Sequence, residues 1–98
     1  MSARTTPGAA DRTAAFASLA AGDAGAPREW SSGPGDRFGW HEHPEPKILF
    51  CVNGEIVFHT GDGDLRLEAG DRLDLDARTG HAATVGPMGC TCIEAWGP

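Results

Sequence analysis

Two histidines one residue apart, His41 and His43, are the residues of this chain best suited to binding a metal ion. Side chains on a β-strand alternate between its two faces, so two imidazoles at this spacing share a face and can bind one divalent cation. A third ligand must come from elsewhere in the chain, and His81, which follows the turn sequence ARTG, is the best candidate. Because the chain has 4 histidines in total, three of them in suitable positions predict a metal site.

The sequence predicts that the elements that position these histidines are short strands. From Arg28 onward apolar residues recur with a period of two, as at Leu65 and Leu67, and turn-forming sequences such as TGDGD at 60–64 separate the runs. Short strands with turns at this spacing are typical of a small antiparallel sandwich or barrel. We therefore predict one all-β domain over residues 28–98, with about eight strands between residues 35 and 96.

Residues 1–27 have a different composition, rich in alanine and glycine. Asp11 could cap a short helix and Gly22 could end it. Such a helix would have only Phe16 and Leu19 to bury, so it is marginal alone. The sequence predicts a flexible N-terminal arm with a possible short helix, packed on the barrel or on a partner subunit.

Composition and charge exclude several classes of function. The chain has 98 residues, 40% of them hydrophobic, which suits one domain with a small core. It carries 8 basic and 14 acidic residues, a net charge of −6, so nucleic acid is not an expected partner. No apolar run approaches the length of a membrane span, and no segment has clear secretory character. We expect a cytoplasmic protein whose three cysteines are thiols.

The remaining candidate ligands have simpler interpretations. Cys90 and Cys92 share a strand face, and a single C-x-C pair is weak evidence for zinc, so we predict that both belong to the core. Cys51 is in phase with Lys47 and either lines the cavity or packs in the core. His59 lies at a strand end beside a turn and is interpreted as a surface histidine.

Six residues resemble, in order and spacing, the two sequence motifs of the cupins: Gly35, His41, His43 and Gly54 match the first, and Gly70 and His81 match the second. The resemblance covers about residues 35–95. It implies a cupin jelly-roll barrel whose three histidines point inward and bind a divalent transition metal (Fe, Mn, Ni, Cu or Zn).

Lys47 is the main departure from that resemblance, because cupins commonly carry a glutamate, the fourth metal ligand, at this position. Three interpretations are open. Lys47 turns away to pair with Glu42 or Glu45, which leaves a neutral three-histidine site; it stays inside, uncharged, as a general base; or it replaces the metal and holds an anionic ligand. An ammonium ion beside a dication is repelled strongly, but moving one flexible lysine is easier than explaining three inward histidines without a metal.

The expected function is that of a metal-dependent cupin enzyme with Lys47 as a candidate catalytic residue. It would act on a small anionic or oxygen-rich molecule, in a reaction of dioxygenase, isomerase or cyclase type. The alternative is a metal-free binding or sensor module that holds an anion through Lys47. Open sheet edges and exposed tryptophans further predict a homodimer, with Trp30 or the N-terminal arm contributing.

Overall fold

The computed structural model describes residues 2–22 and 25–97. These two ranges contain seven strands and one helix: β1 (Ala3–Thr6), α1 (Arg12–Ala21), β2 (Arg28–Ser32), β3 (Arg37–His41), β4 (Lys47–Thr60), β5 (Gly63–Glu68), β6 (Arg72–Leu75) and β7 (His81–Trp96). Every pairing among these strands is antiparallel. The all-β jelly-roll barrel predicted from the sequence is confirmed.

The two longest strands, β4 and β7, organise the barrel. They pair along nearly their whole length, from Lys47 opposite Trp96 to Thr60 opposite His81. The two halves of β4 also pair with β6 and β5, and the two halves of β7 with β2 and β3. About eight strands were expected between residues 35 and 96, and the described chain has five there. The difference arises because β4 and β7 continue through register shifts instead of breaking into shorter strands.

The interior of the barrel is filled by residues that alternate along these strands. Its buried members are Leu49, Cys51, Ile56, Phe58, Leu67, Leu73, Ala83, Val85, Cys90 and Cys92. The predicted core position of Cys90 and Cys92 is confirmed, and all three cysteines are buried free thiols. Of the two positions open to Cys51, the structure shows the packed one.

The short helix predicted near the N-terminus is present as α1. The side chain of Asp11 accepts a hydrogen bond from the backbone N–H of Ala14, and Gly22 follows the last turn. Leu19 and Ala15 are buried against a second apolar cluster that includes Phe50. The described part of the N-terminal arm therefore packs on the barrel, and β1 adds an edge strand beside β6. Nowhere in residues 2–22 and 25–97 is a helix long and apolar enough to cross a membrane.

Gly54, a residue of the first cupin-like motif, lies at the tightest approach between β4 and β7. Its backbone has φ = 71°, in the left-handed region, and a Cβ at this position would overlap the carbonyl oxygen of Gly89. Two independent constraints thus require glycine here.

We expect Gly54→Ala to destabilise the fold more than either of two matched substitutions. Gly35→Ala meets the same left-handed backbone (φ = 73°) but open space, so it should cost about 1–2 kcal/mol of unfolding free energy. Gly61→Ala meets open space without a positive φ and should be close to neutral. Urea unfolding of the three variants measures these differences, and equal losses for Gly54→Ala and Gly35→Ala would show that the contact with Gly89 is unimportant.

The homodimer stays a prediction, and the structure changes which tryptophan is the better contributor. Trp30 is half-buried against the core, whereas Trp40 on β3 is 62% exposed. We expect light scattering at micromolar concentration to give twice the 10.2 kDa chain mass, and Trp40→Ser to weaken the association because it removes exposed apolar surface. A monomer mass for the unmodified chain would contradict the expectation.

Candidate metal and ligand site

The three histidines predicted as metal ligands lie together at one end of the barrel. His41 is the last residue of β3 and stands directly opposite His81, the first residue of β7. His43 lies in the segment between β3 and β4. One nitrogen of each ring is within 4.8 Å of a nitrogen of the other two. Nitrogens bound to one tetrahedral metal are roughly 3.4 Å apart, so small ring rotations would bring all three into coordination.

Hydrogen bonds fix the orientation of two of these rings. The Nδ1 of His81 lies 2.8 Å from the carbonyl oxygen of Thr79, and the Nδ1 of His41 contacts the carbonyl oxygen of Gly39. A carbonyl only accepts, so in each ring Nδ1 carries the proton and Nε2 keeps its lone pair. This is the arrangement that metal-binding histidines commonly have.

Two buried ring nitrogens are left without a hydrogen-bond partner among the described residues: Nε2 of His81 and Nδ1 of His43. Buried polar atoms normally have a hydrogen-bond partner, so two such atoms without one in the same cluster require an explanation. A bound cation would satisfy the lone pair of His81. The donor set therefore fits a divalent transition metal such as Zn, Fe, Ni or Cu, for which imidazole is a suitable ligand.

Electrostatics also favour neutral imidazoles at His43 and His81. Burial lowers the pKa of His43 below its ordinary value, and the positive charge of Lys47 lowers it further. Burial likewise lowers the pKa of His81, against the opposing effect of its hydrogen bond to Thr79. Neutral rings are the form that binds a metal.

Lys47 lies inside this end of the barrel and is only 7% exposed. It does not turn outward to Glu42 or Glu45, as one interpretation of the sequence required. Its Nζ is 3.5 Å from Oε1 of Glu94, and it lies over the ring of Trp96, 4.6 Å from the centroid.

Glu94 is the site residue that the sequence analysis missed. It is 7% exposed, and its Oε1 also accepts a hydrogen bond of 2.7 Å from the indole nitrogen of Trp30. The sequence does contain a signal that Glu94 points inward, because Glu94 continues the alternation of Cys90 and Cys92 along β7. Recognising its partner also required the register between β4 and β7.

A cavity of about 200 Å³ opens beside these groups. His41, His81, Lys47 and Glu94 line one part of it, and the rest is apolar: Trp30, Phe38, Ile56, Phe58 and Ala83. Phe38 was not expected here, because alternation from His41 directs it to the opposite face. The register of β3 against β7 shifts between Phe38 and His41, and this bulge turns both side chains toward the cavity.

The fourth histidine is outside the site. His59 contacts Asp64 through Nδ1 at 2.8 Å and Thr84 through Nε2 at 2.9 Å. Both of its nitrogens are therefore engaged on the barrel surface, unlike those of the cluster.

Several solved structures resemble this chain. A chain from the crystal structures of the DMSP lyases RdDddP and RnDddQII is 32% identical over 71% of this chain, with a TM-score of 0.63. A double-stranded β-helix protein from Klebsiella pneumoniae is 27% identical over 74% of this chain (TM-score 0.65). The DMSP lyase DddQ from Ruegeria pomeroyi, 24% identical over 79% of this chain, shares the fold (TM-score 0.70).

The present chain spans 35%, 65% and 40%, respectively, of the lengths of these three proteins. No match was found among curated proteins. The family model described as "Cupin domain" matches residues 28–93, a range that contains the three histidines and Lys47 and ends one residue before Glu94. With its fold, its motif residues and this match in agreement, the chain belongs to the cupin family.

Proposed function

We propose that this protein binds one divalent transition metal through His41, His43 and His81 and acts on a small anionic or oxygen-rich molecule in the adjoining cavity. The observation that carries the proposal is the cluster of three histidine rings, in which His81 has a buried Nε2 without a hydrogen-bond partner among the described residues. A metal bound there would act as a Lewis acid that polarises an oxygen atom of a ligand or acidifies a bound water.

The pairing of Lys47 with Glu94 supports a metal at this site. Alone, the ammonium group would repel a dication in a setting of low dielectric constant. The carboxylate of Glu94, 3.5 Å from Nζ, supplies a compensating charge, so the pair as a whole is neutral. The interpretation in which Lys47 substitutes for the metal loses its main electrostatic support.

Within the proposed function Lys47 is a hydrogen-bond donor to an anionic group of the ligand. Its ammonium group contacts Glu94 and lies over the ring of Trp96, and Lys47 also lines the cavity. The reaction class follows from the ligand rather than from the fold, which hosts many activities. The two DMSP lyase neighbours make a lyase reaction one to assay beside the dioxygenase, isomerase and cyclase types.

The metal content of protein purified without a chelating tag tests this proposal. We expect one transition-metal ion per chain, and His81→Ala should raise the metal dissociation constant at least about 100-fold, because it removes a ligand rather than a supporting group. His59→Ala is the matched control and should leave the affinity unchanged. Elemental analysis and competition with a chromogenic chelator give both numbers. Metal-free protein that binds added Zn no better than His81→Ala would overturn the metal site in favour of the anion-binding module.

Lys47→Glu should raise the affinity for metal, by about tenfold or more, because it removes a cation and adds an oxygen ligand. The same change places two carboxylates beside each other in the buried site, so the metal-free variant should unfold at a lower temperature than the unmodified protein. Metal should recover that loss. Lys47→Met is the control that removes the cation without adding a ligand. Thermal unfolding with and without Zn measures both effects, and a variant that gains no more from Zn than Lys47→Met would count against coordination by residue 47.

A further inference from the structure

The cavity has its two charged residues side by side, two histidines, and an otherwise apolar lining. Lys47 and Glu94 are the charged residues among its described lining, and they are paired with each other. Apart from His41 and His81, the rest of the lining is aromatic or aliphatic and includes Trp30, Phe38 and Phe58. A ligand that fits must therefore present its polar group to Lys47 and an apolar body to the wall.

The geometry of Lys47 leaves hydrogen-bonding capacity for such a polar group. A charge-assisted N–H···O bond is normally about 2.7–2.9 Å long, and the 3.5 Å separation from Glu94 is longer. An ammonium group has three N–H donors, and in the described chain Glu94 is the partner found for it. A carboxylate placed in the cavity would accept from this group at short range.

Glu94 determines how many negative charges the cavity accepts. Its position is fixed by the hydrogen bond from Trp30 and the ion pair with Lys47. In the metal-free cavity a ligand with one carboxylate meets Lys47, whereas a second carboxylate would meet Glu94, the apolar wall or the rings of His41 and His81. The contact with Glu94 is repulsive, and the contact with the wall buries an unpaired charge. The two rings offer no donor either, because each holds its Nδ1 proton on a backbone carbonyl and presents the lone pair of Nε2.

We infer that the Lys47–Glu94 pair makes this cavity selective for a small monocarboxylate with an apolar body. This inference deepens the proposed function, because it depends on that function for the role of the cavity. The inference and the proposed function can nevertheless fail separately. The volume of about 200 Å³ lies below the range of roughly 300–1,000 Å³ that holds drug-sized ligands, so the ligand has about the size of one aromatic ring with its carboxylate.

Binding of benzoate to the full chain tests the inference, with benzamide as the neutral analogue and phthalate as the dicarboxylate. Quenching of the tryptophan fluorescence reports occupancy, because Trp30 lines the cavity, and calorimetry gives the stoichiometry. The experiment is run on chelator-treated and on Zn-loaded protein. We expect benzoate to bind one per chain and at least about tenfold more tightly than benzamide, since a hydrogen bond to a charged group is at stake.

Two single variants and the double variant show what Lys47 and Glu94 each contribute to ligand binding. Lys47→Met should weaken benzoate binding at least about tenfold and abolish the preference over benzamide. Glu94→Gln keeps an acceptor for Trp30 but removes the charge. After chelator treatment this variant should bind phthalate, which the unmodified protein in the same state rejects. This gain of binding is an effect that a merely damaged fold would not produce. The double variant removes the whole pair, which buried sites commonly tolerate, and should bind benzoate and benzamide equally.

Several outcomes would overturn the inference: no benzoate binding in either metal state, equal binding of benzoate and phthalate by chelator-treated unmodified protein, or undiminished benzoate binding by chelator-treated Lys47→Met. Protein that binds Zn but not benzoate would refute the ligand class and leave the proposed metal site standing. Protein that binds benzoate selectively but no metal would support the inference and refute the metal part of the proposed function.

Discussion

The contact between Lys47 and Glu94 is the interaction on which the character of this site depends. Both side chains are buried, their charged atoms are 3.5 Å apart, and they stand beside a cluster of three histidines. A buried ion pair offsets little more than the cost of removing its own charges from water, so its contribution to stability is small. Its consequence is chemical: a lysine can occupy the position of a metal-binding glutamate without leaving an uncompensated positive charge next to a metal.

The barrel can hold this pair because one strand, β7, supplies two parts of the site. His81 begins the strand and Glu94 lies near its end, while Lys47 begins β4 and pairs in register beside that end. The bulge in β3 then turns Phe38 and His41 to the same cavity. Because β4 and β7 are held in register along nearly their whole length, the charged pair, the histidines and the apolar wall are placed relative to one another by backbone hydrogen bonds.

The clustering of the three histidines could be predicted from the sequence because two kinds of information agreed. Spacing placed His41 and His43 on one face, and the cupin-like motifs added His81. Alternation along a single strand nonetheless does not describe both residues: β3 ends at His41, and His43 reaches the cluster from the segment that follows the strand. Lys47 could be recognised as unusual, but its partner could not. Glu94 is 47 residues away along the chain, and only the pairing of β4 with β7 brings the two together. Phe38 was missed because a bulge reverses the alternation on which such reasoning depends.

The central claim is that three histidines hold a metal while Lys47 remains paired with Glu94 beside it. The most direct test is an anomalous-difference map from a crystal of this protein grown with Zn. The account predicts a single strong peak about 2.0–2.1 Å from one ring nitrogen of each of His41, His43 and His81, with Lys47 still in contact with Glu94. A map without a peak at the three histidines, or with Lys47 displaced out of the barrel, would contradict it.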